Sequence, residues 1–344
     1  MKNKKTVLIT CVGGGLSFAL IESLKVSLRY DYRIIGTDTN EDVIAKDICD
    51  VFSLMPHGEA TTYSKSILQL CIEQNVDLVF PCSDPEALAL SRDQEMFTDN
   101  GIALACNRYD ILRVICDKAQ TYEKLAEIGV PTPYWCRTNS KKNVTAEVEQ
   151  LLASTNGAVV KLTSGRGSRG IFVVNKNMKN HHYYNQTREI HTSPADFFNV
   201  FLPKIDFSER YIVMEKLIGP VCDLDILAWE GKVIHALPRR RLDSARPNDG
   251  HIIEANEGVK KFAKLIVANM NLSWIFDIDF MFSIDKKPRI IEINPRASGS
   301  IAVPIVAGVP IFDDLLDILE GKKIATDDYP YGSIIYPVKS LRKR

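Results

Sequence analysis

The chain opens on an apolar run, Thr6–Thr10, that reads as a buried strand, and continues through Gly13–Gly15 into an amphipathic stretch ending near Leu28. Arg33–Gly36 gives a second strand ending at Asp38, Val76–Pro81 a third and Gly101–Ala105 a fourth. Between the last two, Ser83-Asp84-Pro85-Glu86 reads as a helix start, with a capping hydroxyl, a first-turn proline and acids beside the helix N-terminus. Strand and helix patterns alternate up to about residue 112, which predicts a small doubly wound α/β domain.

Ile111–Ile128 has a helical period with Asp117-Lys118 inside it, and Gly129 stops it. Val130–Pro133 is an extended linker, and Glu147–Ala153 a short helix. Ala158–Leu162 is a strand in which Lys161 lies between Val160 and Leu162, so its charge requires a partner. A glycine-rich loop, Thr163–Gly170, leads to strand Ile171–Val174; the polar Lys176–Asn185 has no assigned structure, and Pro194–Leu202 reads as a helix. Arg210–Leu217 is a strand, and Asp223–Trp229 with Lys232–Leu237 forms a hairpin around Glu230-Gly231, followed by Arg239, Arg240 and Arg241. Ile252–Met270 reads as a helix, Phe276–Phe282 and Ile290–Asn294 as a hairpin turning at Asp285–Pro288, and Phe312–Leu319 as the last helix.

A length of 344 residues implies two or three structural units. Lys+Arg and Asp+Glu each total 43, so no net charge points to nucleic acid or an anionic membrane. No apolar run approaches 18 residues, which argues against a membrane span and for a cytoplasmic protein. The eight cysteines are scattered without a C-x-x-C pair, as expected of reduced thiols and no zinc site.

The candidate chemistry is concentrated in I-I-E-I-N-P-R at 290–296. Strand alternation places Glu292 and Asn294 on one side and turns Ile291 and Ile293 to the opposite layer. Asp279, thirteen positions earlier, meets Glu292 across the hairpin, and Arg296 follows the strand. Hard oxygen donors beside a guanidinium suit a magnesium-bound polyphosphate. The glycines of 165–170 let a loop fold over phosphates, with Arg166 and Arg169 adding charge; a strand follows it, so it is not a Walker A loop. Gly13–Gly15 lacks the third glycine of a dinucleotide fingerprint, Phe18 standing there, and reads as a tight turn.

With these pieces in order, residues 6 to about 320 resemble the ATP-grasp superfamily, in particular stand-alone proteins similar to the synthetase domain of the carbamoyl-phosphate synthase large subunit. The resemblance implies an N-terminal doubly wound α/β pre-ATP-grasp domain (1–112) and a two-subdomain α+β ATP-grasp fold, with subdomain A at 113–190 and subdomain B at 191–344. It assigns Lys118 and Lys161 to the nucleotide phosphates, and Gly165, Gly167, Ser168 and Gly170 to a lid. Glu215, Lys216 and Leu217 become the adenine-reading hinge, Asp279, Glu292 and Asn294 the magnesium ligands, and Arg296 the arginine on the transferred phosphoryl group. Manganese satisfies the same oxygen donors. Many members follow the hinge with G-P-E; here Val221 follows Gly219-Pro220, and Asp223 stands in for the ribose contact. Arg239 and Arg241, on alternate positions, are expected to grip an acceptor carboxylate. The implied activity is an ATP-dependent carboxylate–amine ligase passing through an acylphosphate, its partners being small-molecule acids and amines, and a homodimer is compatible with it. Phosphorylation of bicarbonate or carbamate, and a non-catalytic ATP-binding regulator, are the alternatives.

Overall fold

The computed structural model describes residues 2–165, 170–179, 182–184, 189–325 and 329–338. The first unit comprises β1 (Asn3–Ile9), α1 (Ser17–Lys25), β2 (Tyr30–Asp38), β3 (Val51–Leu54), α2 (Tyr63–Gln74), β4 (Leu78–Phe80), α3 (Asp84–Arg92), α4 (Gln94–Thr98) and β5 (Ala103–Leu104). Its five strands are parallel in the order β3-β2-β1-β4-β5. Their cores, such as Val7–Ile9 and Leu78–Phe80, are apolar without alternation, because crossover helices cover both faces. The glycine turn after β1 is shaped by packing. Gly13 N donates to Asp38 Oδ2 at 2.7 Å, and a Cβ on Gly13 would come within 2.9 Å of that oxygen and 2.8 Å of Val43.

Next come α5 (Tyr109–Ile115) and α6 (Lys118–Glu127), where the sequence period suggested one helix. The break has a cause: Asp117 accepts hydrogen bonds from the N–H groups of Ala119 and Gln120, capping a new helix whose first residue is Lys118. The second sheet is built from β6 (Trp135–Thr138), β7 (Gly157–Leu162), β8 (Phe172–Asn175), β9 (His182–Tyr184), β10 (Ile190–Thr192) and β11 (Tyr211–Glu215), in the order β6-β11-β7-β8-β10-β9. Helix α7 (Lys141–Ser154), capped by Ser140, packs on it. The run from α8 (Pro194–Asp196) to Lys204 changes from α through π to 3₁₀ pitch. Because β11 threads between β6 and β7, a boundary at 190/191 would cut this sheet, and one at 112/113 would cut α5.

The third sheet is antiparallel and holds β12 (Cys222–Trp229), β13 (Lys232–Arg241), β14 (His251–Ile253), β15 (Trp274–Phe282), β16 (Pro288–Asn294) and β17 (Ile334–Ile335). Its order is β16-β15-β12-β13-β14-β17. Helix α9 (Glu257–Met270) begins later than Ile252, which pairs in β14 instead; Asn256 caps the helix. Leu224, Ile226, Ile278 and Phe280 form a core beneath α9, so the alternate positions of the same strands face away from it. Finally α10 (Ala302–Val306) and α11 (Ile311–Leu319) return to the first unit, where Val303, Phe312 and Leu316 share a core with Val7, Leu20 and Phe80. The rings of Phe80 and Phe312 lie 4.4 Å apart. Asp313, Asp314 and Asp317 of α11 bond Tyr32, Arg29 and Tyr30 across the same junction. No helix among the described residues is long and apolar enough to cross a membrane, and none of the eight cysteines is in a disulfide.

Candidate active site

Four neighbouring strands each place polar side chains two residues apart. The register aligns Arg239, Asp223, Asp279 and Glu292 in one row across β13, β12, β15 and β16. A second row aligns Asp225, Asp277 and Asn294. The intervening apolar residues lie under α9, which leaves one sheet face for charge.

The edge strand departs from simple alternation. Asp279 pairs with Glu292 but Phe280 with Ile290, so Ile291 is an extra residue in a bulge. Ile290 and Ile293 therefore share the core, and Ile291 lines the cavity between the second and third sheets, contrary to the alternation expected from sequence. Its carbonyl accepts from Tyr122 Oη at 2.6 Å and from Lys161 Nζ at 3.5 Å.

Both lysines reach this edge. Lys118 is set by its helix cap and by its own N–H on Thr163 O; its Nζ lies 2.9 Å from Glu292 Oε1 and 2.8 Å from Gly165 O. Burial pulls the Lys118 ammonium down, and Glu292 more than restores it. Burial pushes the Glu292 carboxyl up, but Lys118 and Lys161 outweigh that and hold it below its ordinary value. Lys161 is 6% exposed, and burial lowers it to about 8 from an ordinary 10.5, with Glu292 opposing and Lys118 adding.

That depression gives a signed prediction. A lysine that titrates lower when folded costs stability below its folded value, and the cost fades as pH rises from about 8 toward 10.5. A shift of this size corresponds to about 3 kcal/mol at neutral pH. Lys161→Met is therefore expected to raise the melting temperature of the ligand-free protein at pH 7, less so at pH 9.5, and to abolish the further rise expected on adding Mg-ATP. Melting curves at both pH values check this; a melting temperature at pH 7 below that of the parent protein refutes it.

The cavity between the sheets is about 330 Å³ and is lined by Lys161, Met214, Glu215, Lys216, Leu217, Asp279 and Glu292 among others. The expected hinge is partly committed to structure. Glu215 Oε1 accepts from Tyr134 N at 2.9 Å, and Lys216 N donates to Gly157 O at 3.0 Å. Of the expected lid, Gly165 and Gly170 are described and flank Arg166, Gly167, Ser168 and Arg169, which lie outside the described residues.

Two assignments from sequence need correction. Asp223 is 2% exposed and bonded to Arg239 and Arg241, so it does not face a ribose. Burial raises its carboxyl, but the two guanidiniums hold it well below the carboxylate range. Arg239 has a side chain with 0% exposure and cannot grip an acceptor. It bonds Asp225 at 2.6 Å, Asp223 at 3.0 Å, Ser298 at 3.0 Å and Ser300 at 2.8 Å, and approaches His251 Nδ1 at 2.7 Å. Burial and Arg239 lower His251 to about 3, so its neutral ring accepts from the arginine. Arg241 does line the cavity, but its guanidinium is clasped by Asp223 and, at 3.0 Å, by Asp279.

Sequence reasoning overlooked Asp277 and undervalued Asp84. Asn294 Nδ2 donates to Asp277 Oδ2 at 3.0 Å, while Asp277 Oδ1 is buried with no hydrogen bond. Burial pushes Asp277 up to about 7 against the pull of Arg296. Asp84, read from sequence only as an acid beside the α3 N-terminus, sits in the first turn of α3 and lies 2.9 Å from Arg296 Nε. The D-x-D spacing at 223/225 and 277/279 was the available signal for the acidic rows.

The donor set fits a hard divalent cation. Asp279, Glu292 and Asn294 offer oxygen, Asp277 adds one that makes no hydrogen bond and lies 3.6 Å from Arg296 Nη1, and ligand atoms of Asp223, Asp277 and Asp279 lie within 4.8 Å of one another. Lys118 and Arg241 now balance the carboxylates that would meet such an ion.

Residues 207–341 match the family model described as "ATP-grasp in the biosynthetic pathway with Ter operon", and residues 7–105 that of the "PylC-like, N-terminal domain". The chain thus carries an ATP-grasp domain behind a PylC-like N-terminal domain. The carbamoyl-phosphate synthase of Methanobrevibacter smithii is similar to it, 26% identical over 305 residues that span 84% of this chain and 74% of that relative. Two solved structures share the fold. N5-carboxyaminoimidazole synthetase from Staphylococcus aureus superimposes with a TM-score of 0.67 at 16% identity, covering 98% of this chain and 81% of that one. The biotin carboxylase domain of the Hydrogenobacter thermophilus 2-oxoglutarate carboxylase gives 0.67 at 16% identity, covering 95% and 72%. In the ATP-grasp frame, the glycine turn after β1 belongs to the PylC-like part and the charged rows to the ATP-grasp part.

Proposed function

We propose that this protein is an ATP-dependent carboxylate–amine ligase acting through an acylphosphate. The observation that carries the reading is the convergence of Lys118, Lys161 and Arg296 on the Glu292–Asn294 edge, at one end of a cavity of about 330 Å³. A carboxylate oxygen of the acid attacks the γ-phosphorus of ATP, and the bond to the β-phosphate oxygen breaks, its electron pair leaving with ADP. The amine nitrogen then attacks the acyl carbon, phosphate departs, and the extra nitrogen proton passes to water. Lys118 and Lys161 balance phosphate charge, and Arg296 steadies the group in transfer. Asp279, Glu292 and Asn294 would hold magnesium, which would supply further neutralisation of the phosphates.

This route needs no protein nucleophile, and the nearby thiols are poorly suited to be one. Burial pushes Cys116 up to about 12 and raises Cys82 as well. The second reading, with bicarbonate as the acid, draws support from the carbamoyl-phosphate synthase relative and from the solved carboxylase domain, whose complex includes bicarbonate. ADP release measured across acids and amines, with mass spectrometry of the products, separates the two. Release that requires both an organic acid and an amine, yielding their amide, supports the ligase. Release driven by bicarbonate alone supports the second reading, and release with neither rules out both.

A further inference from the structure

A second cleft, of about 620 Å³, lies where the first unit meets the base of the glycine-rich loop. Its volume falls in the range of small-molecule sites. It is walled by α3, α5, the start of α6 and Ser164-Gly165. Two lining groups already touch the reaction edge: Asp84 lies 2.9 Å from Arg296 Nε, and Gly165 O accepts from Lys118 Nζ at 2.8 Å. The cleft therefore abuts the two cations assigned to the phosphoryl group from a side not lined by the nucleotide cavity.

Its charges are unequally committed. Asp84 faces Arg296, Asp117 caps α6, Arg92 pairs with Asp93 at 3.0 Å, and Glu59 approaches His57 at 3.6 Å. Among the described charged residues of the cleft, Arg113 alone has neither an ion pair nor a hydrogen bond. An uncommitted guanidinium keeps its planar fork for a carboxylate or phosphate. Leu88 and Tyr109 add apolar wall for the body of a ligand.

We propose that this cleft holds the acid substrate and that the acid carries a second anionic group, carboxylate or phosphate, which Arg113 grips away from the reacting carboxyl. The assignment rests on the ligase reading above. Arg113 is exposed on the last turn of α5, so its replacement leaves the core intact.

The test is ligand-observed NMR on the whole protein with magnesium and a non-hydrolysable ATP analogue. The probes are succinate, glutarate, adipate, 3-phosphoglycerate and, as the singly charged control, valerate. At least one probe with two anionic groups is expected to bind about tenfold or more tighter than valerate. Arg113→Gln should remove that difference and Arg113→Lys restore part of it, with the affinity for the ATP analogue unchanged. Binding of a dicarboxylate identifies a carboxylate tail, and binding of phosphoglycerate a phosphorylated one. If no probe with two anionic groups outbinds valerate, or if Arg113→Gln leaves the difference, the assignment is overturned. Arg113-dependent binding without ADP release for any acid–amine pair would instead remove the ligase reading and leave the anion site standing.

Discussion

Glu292→Gln is expected to lower magnesium-dependent ATP turnover roughly a thousandfold or more. The substitution keeps an oxygen acceptor for Lys118 but removes the charge. Lys118, 2.9 Å away, and Lys161 then face each other with less compensation, and burial depresses Lys161 further. Binding of the anionic nucleotide is thus weakened from the metal side while the lysines themselves become poorer cations. The stability loss should stay within about 1–3 kcal/mol, the range for losing a charged hydrogen-bond partner. The Glu292 side chain keeps 32% exposure and is not a core side chain, so the fold persists. ADP release together with near-ultraviolet circular dichroism checks this. Asn294→Ala, which leaves the Lys118–Glu292 pair untouched, should also lose most turnover. Parent-level turnover in a folded Glu292→Gln protein would show that this strand is not the metal platform.

Arg239→Met should be the most damaging single change to stability, at about 3–5 kcal/mol. The guanidinium has no exposure and satisfies Asp223, Asp225, Ser298, Ser300 and His251 together. Methionine matches much of its volume but leaves two carboxylates buried without their main counter-charge. Burial already raises Asp225 even with the arginine present. Without it, a carboxylate whose folded value lies above its unfolded value penalises folding at neutral pH, and the penalty shrinks as pH falls and the group protonates. Urea midpoints at pH 8 and pH 5.5 should therefore differ more from the parent at pH 8. Adding Asp225→Asn should recover part of the loss. An Arg239→Met protein as stable as the parent at pH 8 would remove Arg239 as the keystone of the charged face.

The parts of this site legible in the sequence were those carried by local pattern. The β15–β16 hairpin, the strand around Lys161 and the Glu230-Gly231 turn all follow from alternation and turn chemistry; Glu230 and Gly231 indeed adopt φ of 47° and 76°. What alternation could not show was partnership. Arg239 and Arg241 share a spacing, yet one is enclosed and the other lines a cavity, because Asp225 and the serines after Arg296 close over only the first. The bulge at Ile291 was equally hidden, since one unpaired residue leaves no mark on an apolar run. Asp84 looked like no more than an acid at a helix N-terminus because its local neighbours fit that role, while its partner lies more than two hundred positions away.

The return of α10 and α11 to the first sheet has a consequence for how this chain is made. Roughly 300 residues separate β1 from α11, a synthesis delay on the order of 15–60 s at typical elongation rates. Throughout that interval the nascent chain displays the apolar surface that Val303, Phe312 and Leu316 later cover. The first unit leaves the ribosome before the two sheets that follow it and is among the last to be completed. A message truncated before Ile301 would yield a polypeptide with that surface permanently open, a substrate for chaperones and proteases rather than an independent module.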